Sequence, residues 1–185
     1  MINIPGLVYY PDLLNKEDQD KVISEIDKMP WSNSLSRRVQ HYGYEYNYKN
    51  RSINTSMKLG KLPEFSIPVE ACLMAFKLID EFPDQLIVNE YLPGQGIAAH
   101  IDCEPCFKDV IVSVSLGWAY EMIFTEIKTK RQESLLLEVG SALVLRGEAR
   151  YNWMHEIKRQ KNDGDIPRQR RISLTYRNVI LNEQD

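Results

Sequence analysis

The stretch Val110-Ile-Val-Ser-Val-Ser-Leu-Gly117 decides the fold of this chain. In an extended strand Val110, Val112, Val114 and Leu116 fall on one side, and Ser113, Ser115 and Gly117 on the other. That is the period-two pattern of a strand with one packed face. Similar short runs occur around it, at residues 7–10, 86–91, 121–125, 135–139, 142–145 and 172–179. Two helical stretches lie within the N-terminal half. Asn15 is placed to cap the first, where Val22, Ile23, Ile26 and Met29 recur at helical spacing until Pro30 stops it. Ser66 and Pro68 open the second, with a buried face marked by Val69, Leu73, Phe76 and Ile79 and an end before Pro83. Two helices and then many strands predict an α+β domain whose N-terminal helices cover one sheet of a sandwich or jelly roll.

Composition narrows the class. The chain has 185 residues, 43% hydrophobic and 26% charged, average values for a soluble globular protein. No repeat, low-complexity tract or linker divides it, so residues 1–185 read as a single domain. Lys plus Arg (23) against Asp plus Glu (26) gives a net charge of -3. This excludes a polycation that coats DNA or membranes, and any nucleic-acid footprint must be local. Three cysteines and an N-terminus without a signal-peptide pattern point to the reducing cytoplasm. No run approaches the roughly 18 apolar residues of a membrane span, so no membrane partner is expected and a monomer is the simplest state.

The chemistry begins at His100-Ile-Asp102. Residues two apart in a strand share a face, so the imidazole and carboxylate can reach one metal ion. Alone, such a pair is more often a surface turn or a polar contact. His155, on a later strand that could close over the first, would complete a two-histidine, one-carboxylate set, which favours non-haem Fe(II) oxygenases. Arg171-Ile-Ser-Leu-Thr-Tyr-Arg177 then places two arginines on one strand face with Ser173 and Thr175 between them. An inward guanidinium needs an anion, and its planar fork suits a carboxylate. Exposed arginines or internal salt bridges would satisfy the same pattern.

These segments together resemble the AlkB-like Fe(II) and 2-oxoglutarate dependent dioxygenases. The resemblance runs through Asn89-Glu-Tyr91-Leu-Pro93-Gly94-Gln-Gly-Ile97, His100-Ile-Asp102, Val112-Ser-Val-Ser-Leu116-Gly117, residues 147–155 and Arg171 to Arg177, and covers most of 86–179. It implies a double-stranded β-helix, Fe(II) held by His100, Asp102 and His155, and 2-oxoglutarate held by Asn89, Tyr91, Arg171, Ser173 and Arg177. O2 is the oxidant, and no catalytic residue is needed beyond the metal and co-substrate ligands. The implied reaction decarboxylates 2-oxoglutarate to succinate while a nearby C–H bond is hydroxylated; hydroxylating an N-methyl group leads to loss of formaldehyde.

Within the family the chain resembles the oxygenase domain that hydroxylates a modified wobble uridine in tRNA, through Arg37-Arg38-Val-Gln-His41-Tyr-Gly-Tyr-Glu-Tyr-Asn-Tyr48 and residues 89–102. This implies a nucleic-acid partner, with RNA ahead of DNA. Ser173 stands where repair members usually carry asparagine, and Glu156 where they carry glycine, which lowers the weight of DNA repair. Tyr42, Tyr44, Tyr46 and Tyr48 share one face of an extended segment and could stack bases, or cover the core instead. With Arg38, the first three are the expected substrate contacts, and His41 is expected as a polar lid or surface residue. The basic stretch 158–171 could touch phosphate or be a solvated loop. Cys103 and Cys106 are expected as free thiols. The same oxygenase chemistry on a protein side chain or metabolite, or a silent binding module on this fold, are the other readings.

Overall fold

Helix formation begins where the sequence places it. Asn15 has extended backbone, and its side chain accepts from the Asp18 amide at 2.9 Å. Glu17 and Asp18 in the first turn and Lys28 in the last complement the helix dipole. Val22 and Ile26 turn inward, each contributing about 1.5–3 kcal/mol of apolar burial.

The computed structural model describes residues 2–181. Its elements are β1 (Leu7–Tyr10), α1 (Lys16–Lys28), β2 (Val39–Tyr42), α2 (Ile67–Ala75), β3 (Gln85–Tyr91), β4 (Ile97–His100), β5 (Ile111–Leu116), β6 (Tyr120–Glu126), β7 (Gln132–Leu137), β8 (Ala142–Leu145), α3 (Gly147–Tyr151), β9 (Trp153–Ile157), β10 (Asn162–Asp163), β11 (Ile166–Pro167) and β12 (Arg171–Arg177). A six-stranded sheet has the order β1-β8-β5-β12-β3-β2 and a four-stranded sheet the order β4-β9-β6-β7. All the pairings are antiparallel. This is a jelly roll with helices against one sheet.

Alternation assigns the two faces of the larger sheet. On β5, Val112, Val114 and Leu116 join Ile172, Leu174 and Tyr176 of β12 and Leu86 and Val88 of β3 in one core, together with Val22 and Ile26 of α1 and Val69 and Leu73 of α2. The opposite face of the same strands presents Ser113, Asn89, Tyr91, Arg171, Ser173 and Arg177 to a cavity. A second core containing Tyr120, Phe124, Leu143, Trp153 and Ile157 surrounds that cavity.

Two expectations need correction. The second helix does not reach Ile79. Lys77 takes a left-handed φ of 56°, and the Leu78 amide returns to the Leu73 carbonyl, closing the helix. Phe76 therefore faces outward, 46% exposed, while Leu78 and Ile79 turn back into the core. Cys103 and Cys106 are joined as a disulfide and are not free thiols. The intervening turn Glu104–Cys106 brings their Cα atoms to 5.3 Å, within disulfide reach.

Candidate metal and co-substrate site

Strand pairing brings together two histidines separated by more than fifty positions. β4 ends at His100, which pairs directly with His155 of β9, and their rings lie 4.4 Å apart. Asp102 follows beyond the strand end, not within it as the His-x-Asp spacing suggested, and still reaches the same point. One ligand atom from each of His100, Asp102 and His155 lies within 4.8 Å of the others.

The local bonds decide which atoms are offered. His100 Nδ1 is 2.8 Å from the Ala98 carbonyl. A carbonyl only accepts, so Nδ1 carries the proton and Nε2 is free to ligate. Arg177 Nη2 donates to Asp102 Oδ1, which leaves Oδ2, 3.7 Å from His155 Nε2. Burial works to raise the Asp102 carboxyl, but the Arg177 guanidinium and then His155 and His100 hold it well below the usual carboxylate range. Burial, with His100 next, lowers His155 to about 3 against the pull of Asp102. An ionised carboxylate beside a neutral imidazole is the protonation state that metal binding requires.

Deeper in the cavity lies the second part of the site. Arg171 is 1% exposed; its Nη2 donates to Ser115 Oγ at 2.9 Å and its guanidinium lies 5.4 Å from the Tyr91 ring. No carboxylate is among these partners, and the Nε of both Arg171 and Arg177 is buried without a hydrogen bond. A buried guanidinium with unspent donors fits an anion supplied from outside. Ser173 Oγ shares a hydrogen bond with Ser113 Oγ at 2.9 Å, and both line the cavity. Its volume, about 390 Å³, suits a small dicarboxylate with room for part of a substrate.

The expected substrate residues divide. Arg38 does not reach the cavity: it forms a two-pronged pair with Glu90 and lies over the Trp31 ring. Its neighbour Arg37, in the bend before β2, lines the cavity instead. Arg37 Nε donates to Asn89 Oδ1 at 2.9 Å, so the Asn89 amide turns its NH2 away from Arg37. Tyr42 points to the helix side of the sheet, edge-on to Phe65 and bonded to Gln40. Gly43 then takes a φ of 77°, where a Cβ would meet the Asp84 carbonyl at 1.8 Å, and the strand alternation is broken. Tyr44 is buried beyond it and lies outside the cavity lining. Tyr46 lines the cavity, as does Tyr48, whose ring meets Tyr46 edge-on at 4.9 Å. Arg51, which the sequence reading passed over, joins them.

His41 stands behind these rings. Its Nδ1 accepts from the Tyr46 amide at 3.3 Å, and burial, then Arg177 and Arg37, lower it to about 4. Two arginines of the basic stretch are neutralised internally. Arg168 binds Asp163 and stacks 4.2 Å from the Tyr120 ring, and Arg170 binds Asp27 and Glu90.

The half-buried His41 and His155 fix a pH response. Both titrate below the roughly 6.5 of an unfolded imidazole, so beneath that pH the unfolded chain binds more protons than the folded one. Stability is full above pH ~6.5 and is lost as pH falls toward the folded values. The thermal midpoint of the metal-free protein is expected to drop between pH 7 and pH 4.5, and His41→Asn to flatten the drop. A midpoint independent of pH over that range would show the assignment to be wrong.

Comparison with known proteins agrees with this geometry. Residues 6–177 match the family model described as 2OG-Fe(II) oxygenase superfamily. The chain is 35% identical, over 96% of its length, to "Alkylated DNA repair protein ALKBH8 homolog" of Arabidopsis thaliana, spanning 59% of that protein. It is 36% identical, over 86% of its length, to "tRNA (carboxymethyluridine(34)-5-O)-methyltransferase ALKBH8" of Mus musculus, spanning only 25% of it. The chain therefore covers less than two thirds of either relative. The solved structure titled "The structure of OsALKBH1" superposes with a TM-score of 0.75 over 96% of this chain and 99% of that one, at 22% identity, which speaks to the fold. With a His, Asp, His cluster beside two inward arginines on a jelly roll, the chain belongs to the 2OG-Fe(II) oxygenase superfamily, on its AlkB-like side, and uses Fe(II), 2-oxoglutarate and O2.

Proposed function

We propose that residues 1–185 act as one catalytic domain that hydroxylates or demethylates modified nucleobases, with RNA preferred to DNA. The observation that carries this reading is one part of the cavity lining. Tyr46 and Tyr48 line it together with Arg37 and Arg51, in the same space as His100, Asp102 and His155. Rings accept an unstacked base, and cations accept its phosphates. Arg171 and Arg177 are placed to serve the co-substrate, so Arg37 and Arg51 are surplus positive charge facing an anionic polymer. The names of the plant and mouse relatives refer to alkylated DNA and to a tRNA uridine, which supports a nucleic-acid substrate.

In this reading His100 Nε2, Asp102 Oδ2 and His155 hold the metal. Arg171, Asn89, Tyr91, Ser173 and Arg177 would hold the co-substrate, and Arg177 also donates to Asp102 Oδ1. When bound, Fe(II) supplies oxygen activation coupled to decarboxylation of 2-oxoglutarate. The protein orients the co-substrate, keeps Asp102 ionised and His155 neutral, and admits a flipped base between the Tyr46 and Tyr48 side and the metal. Succinate release should rise with single-stranded RNA carrying methylated or uridine-modified bases, less with the same DNA sequences, and not with peptides. Stimulation by peptides or metabolites alone would overturn the proposal.

A further inference from the structure

Two of the three ligands ride on paired strands, but Asp102 does not. β4 stops at His100, and residues 101–103 lie outside any strand ladder. The backbone there is held by a side chain. Arg150 Nη1 donates to the Asp102 carbonyl at 3.0 Å, and Nη2 donates to the Cys103 carbonyl at 3.2 Å. Arg150 is 2% exposed, its Nε has no hydrogen-bond partner, and its guanidinium lies 4.9 Å from the Tyr151 ring.

Burying a guanidinium against peptide carbonyls is costly, and a role as a generic core filler does not account for it. The fork matches two successive carbonyls, a fit that a lysine ammonium cannot reproduce. Its position along the chain is equally informative. Arg150 belongs to α3, which is tied to the N-terminal segment by the Ala149 amide on the Pro5 carbonyl and the Arg146 amide on the Gly6 carbonyl, both 2.9 Å. Five residues later the same segment supplies His155. One stretch, 146–155, thus delivers one ligand and grips the backbone of another that lies about fifty residues earlier.

We infer that Arg150 is a positioning residue of the metal centre: by clamping the Asp102 and Cys103 carbonyls it sets the direction in which Asp102 presents Oδ2. The inference rests on reading His100, Asp102 and His155 as the metal site. Arg150 takes no part in binding 2-oxoglutarate and is absent from the cavity lining.

Calorimetric titration of the metal-free protein with Mn(II) tests it, with His100→Ala as the control for the site itself. Arg150→Met is expected to weaken Mn(II) binding about 10–100-fold, the usual effect of losing a partner that orients a ligand. Arg150→Lys should recover part of the loss and leave an altered Mn(II) electron paramagnetic resonance spectrum. A residue that only stabilises the fold would lower the thermal midpoint and leave both the affinity and the spectrum of the folded protein unchanged. A folded Arg150→Met variant binding Mn(II) within about twofold of the parent overturns the inference. If that variant does not fold, Arg150→Lys decides: parental affinity and spectrum overturn the inference, and weaker binding supports it. Equal Mn(II) binding by the parent and His100→Ala would instead remove the metal-site reading on which it stands.

Discussion

Replacing Asp102 is expected to abolish conversion of 2-oxoglutarate to succinate and to weaken Mn(II) binding by ~10²-fold or more, since even the outer partners of metal ligands are typically worth 10–100-fold. The carboxylate does two things at once. Oδ2 faces the histidines, and Oδ1 accepts from Arg177. Asp102→Ala removes both and leaves a buried guanidinium without its anion, a change that costs roughly 3–5 kcal/mol of stability. Asp102→Asn keeps the shape and an acceptor for Arg177 while removing the charge. It should stay folded, bind Mn(II) poorly and release no succinate. Turnover by Asp102→Asn close to that of the parent would refute the ligand assignment.

Arg171 carries the second large effect. Truncating one side of a buried charged hydrogen-bonded pair costs about 2–5 kcal/mol, so Arg171→Met should raise the dissociation constant for 2-oxoglutarate by ~10²-fold or more. Stability should respond differently. In the absence of the dicarboxylate the guanidinium is buried with no carboxylate among its partners, and a methionine of similar length removes that desolvation cost. The thermal midpoint of Arg171→Met should therefore equal or exceed that of the parent while co-substrate binding collapses. Arg171→Lys keeps the charge but loses the fork, and is expected to fall between the two. Titration of 2-oxoglutarate into the Mn(II)-loaded protein under nitrogen measures all three; parental affinity in Arg171→Met would place the co-substrate elsewhere.

Much of this was legible in the sequence, for a specific reason. On β12 and from Val112 to Leu116 of β5 the alternation of apolar and polar side chains is uninterrupted, so the faces of Val112, Val114, Ser173 and Arg171 follow from period two alone. Parity fails where the chain leaves its strand. The tyrosine run at 42–48 looks continuous, but Tyr42 ends β2 on the helix side, Gly43 then turns the backbone, and of the four only Tyr46 and Tyr48 line the cavity. The Arg37-Arg38 pair raises the same problem in its simplest form. The sequence reading chose Arg38 as the substrate contact, but Arg38 is spent on Glu90 and Arg37 lines the cavity. Arg150 sat within the motif at 147–155 and carried no signal of its own, because its partners are backbone carbonyls, which every sequence supplies equally. The disulfide depended on a local turn, not on the cysteine count.

The place of β12 bears on how the protein is made. It is the last strand among the described residues, yet it lies in the interior of the large sheet, bonded to β5 on one side and β3 on the other. During synthesis β3 and β5 emerge first and wait with open apolar edges, the condition in which strands mispair between chains. The same seven residues that close this gap bring in Arg171, Ser173 and Arg177. On the proposed co-substrate assignment, a nascent chain stalled before residue 171 would be an aggregation hazard with no co-substrate site, and 2-oxoglutarate would stabilise only chains in which β12 is in place.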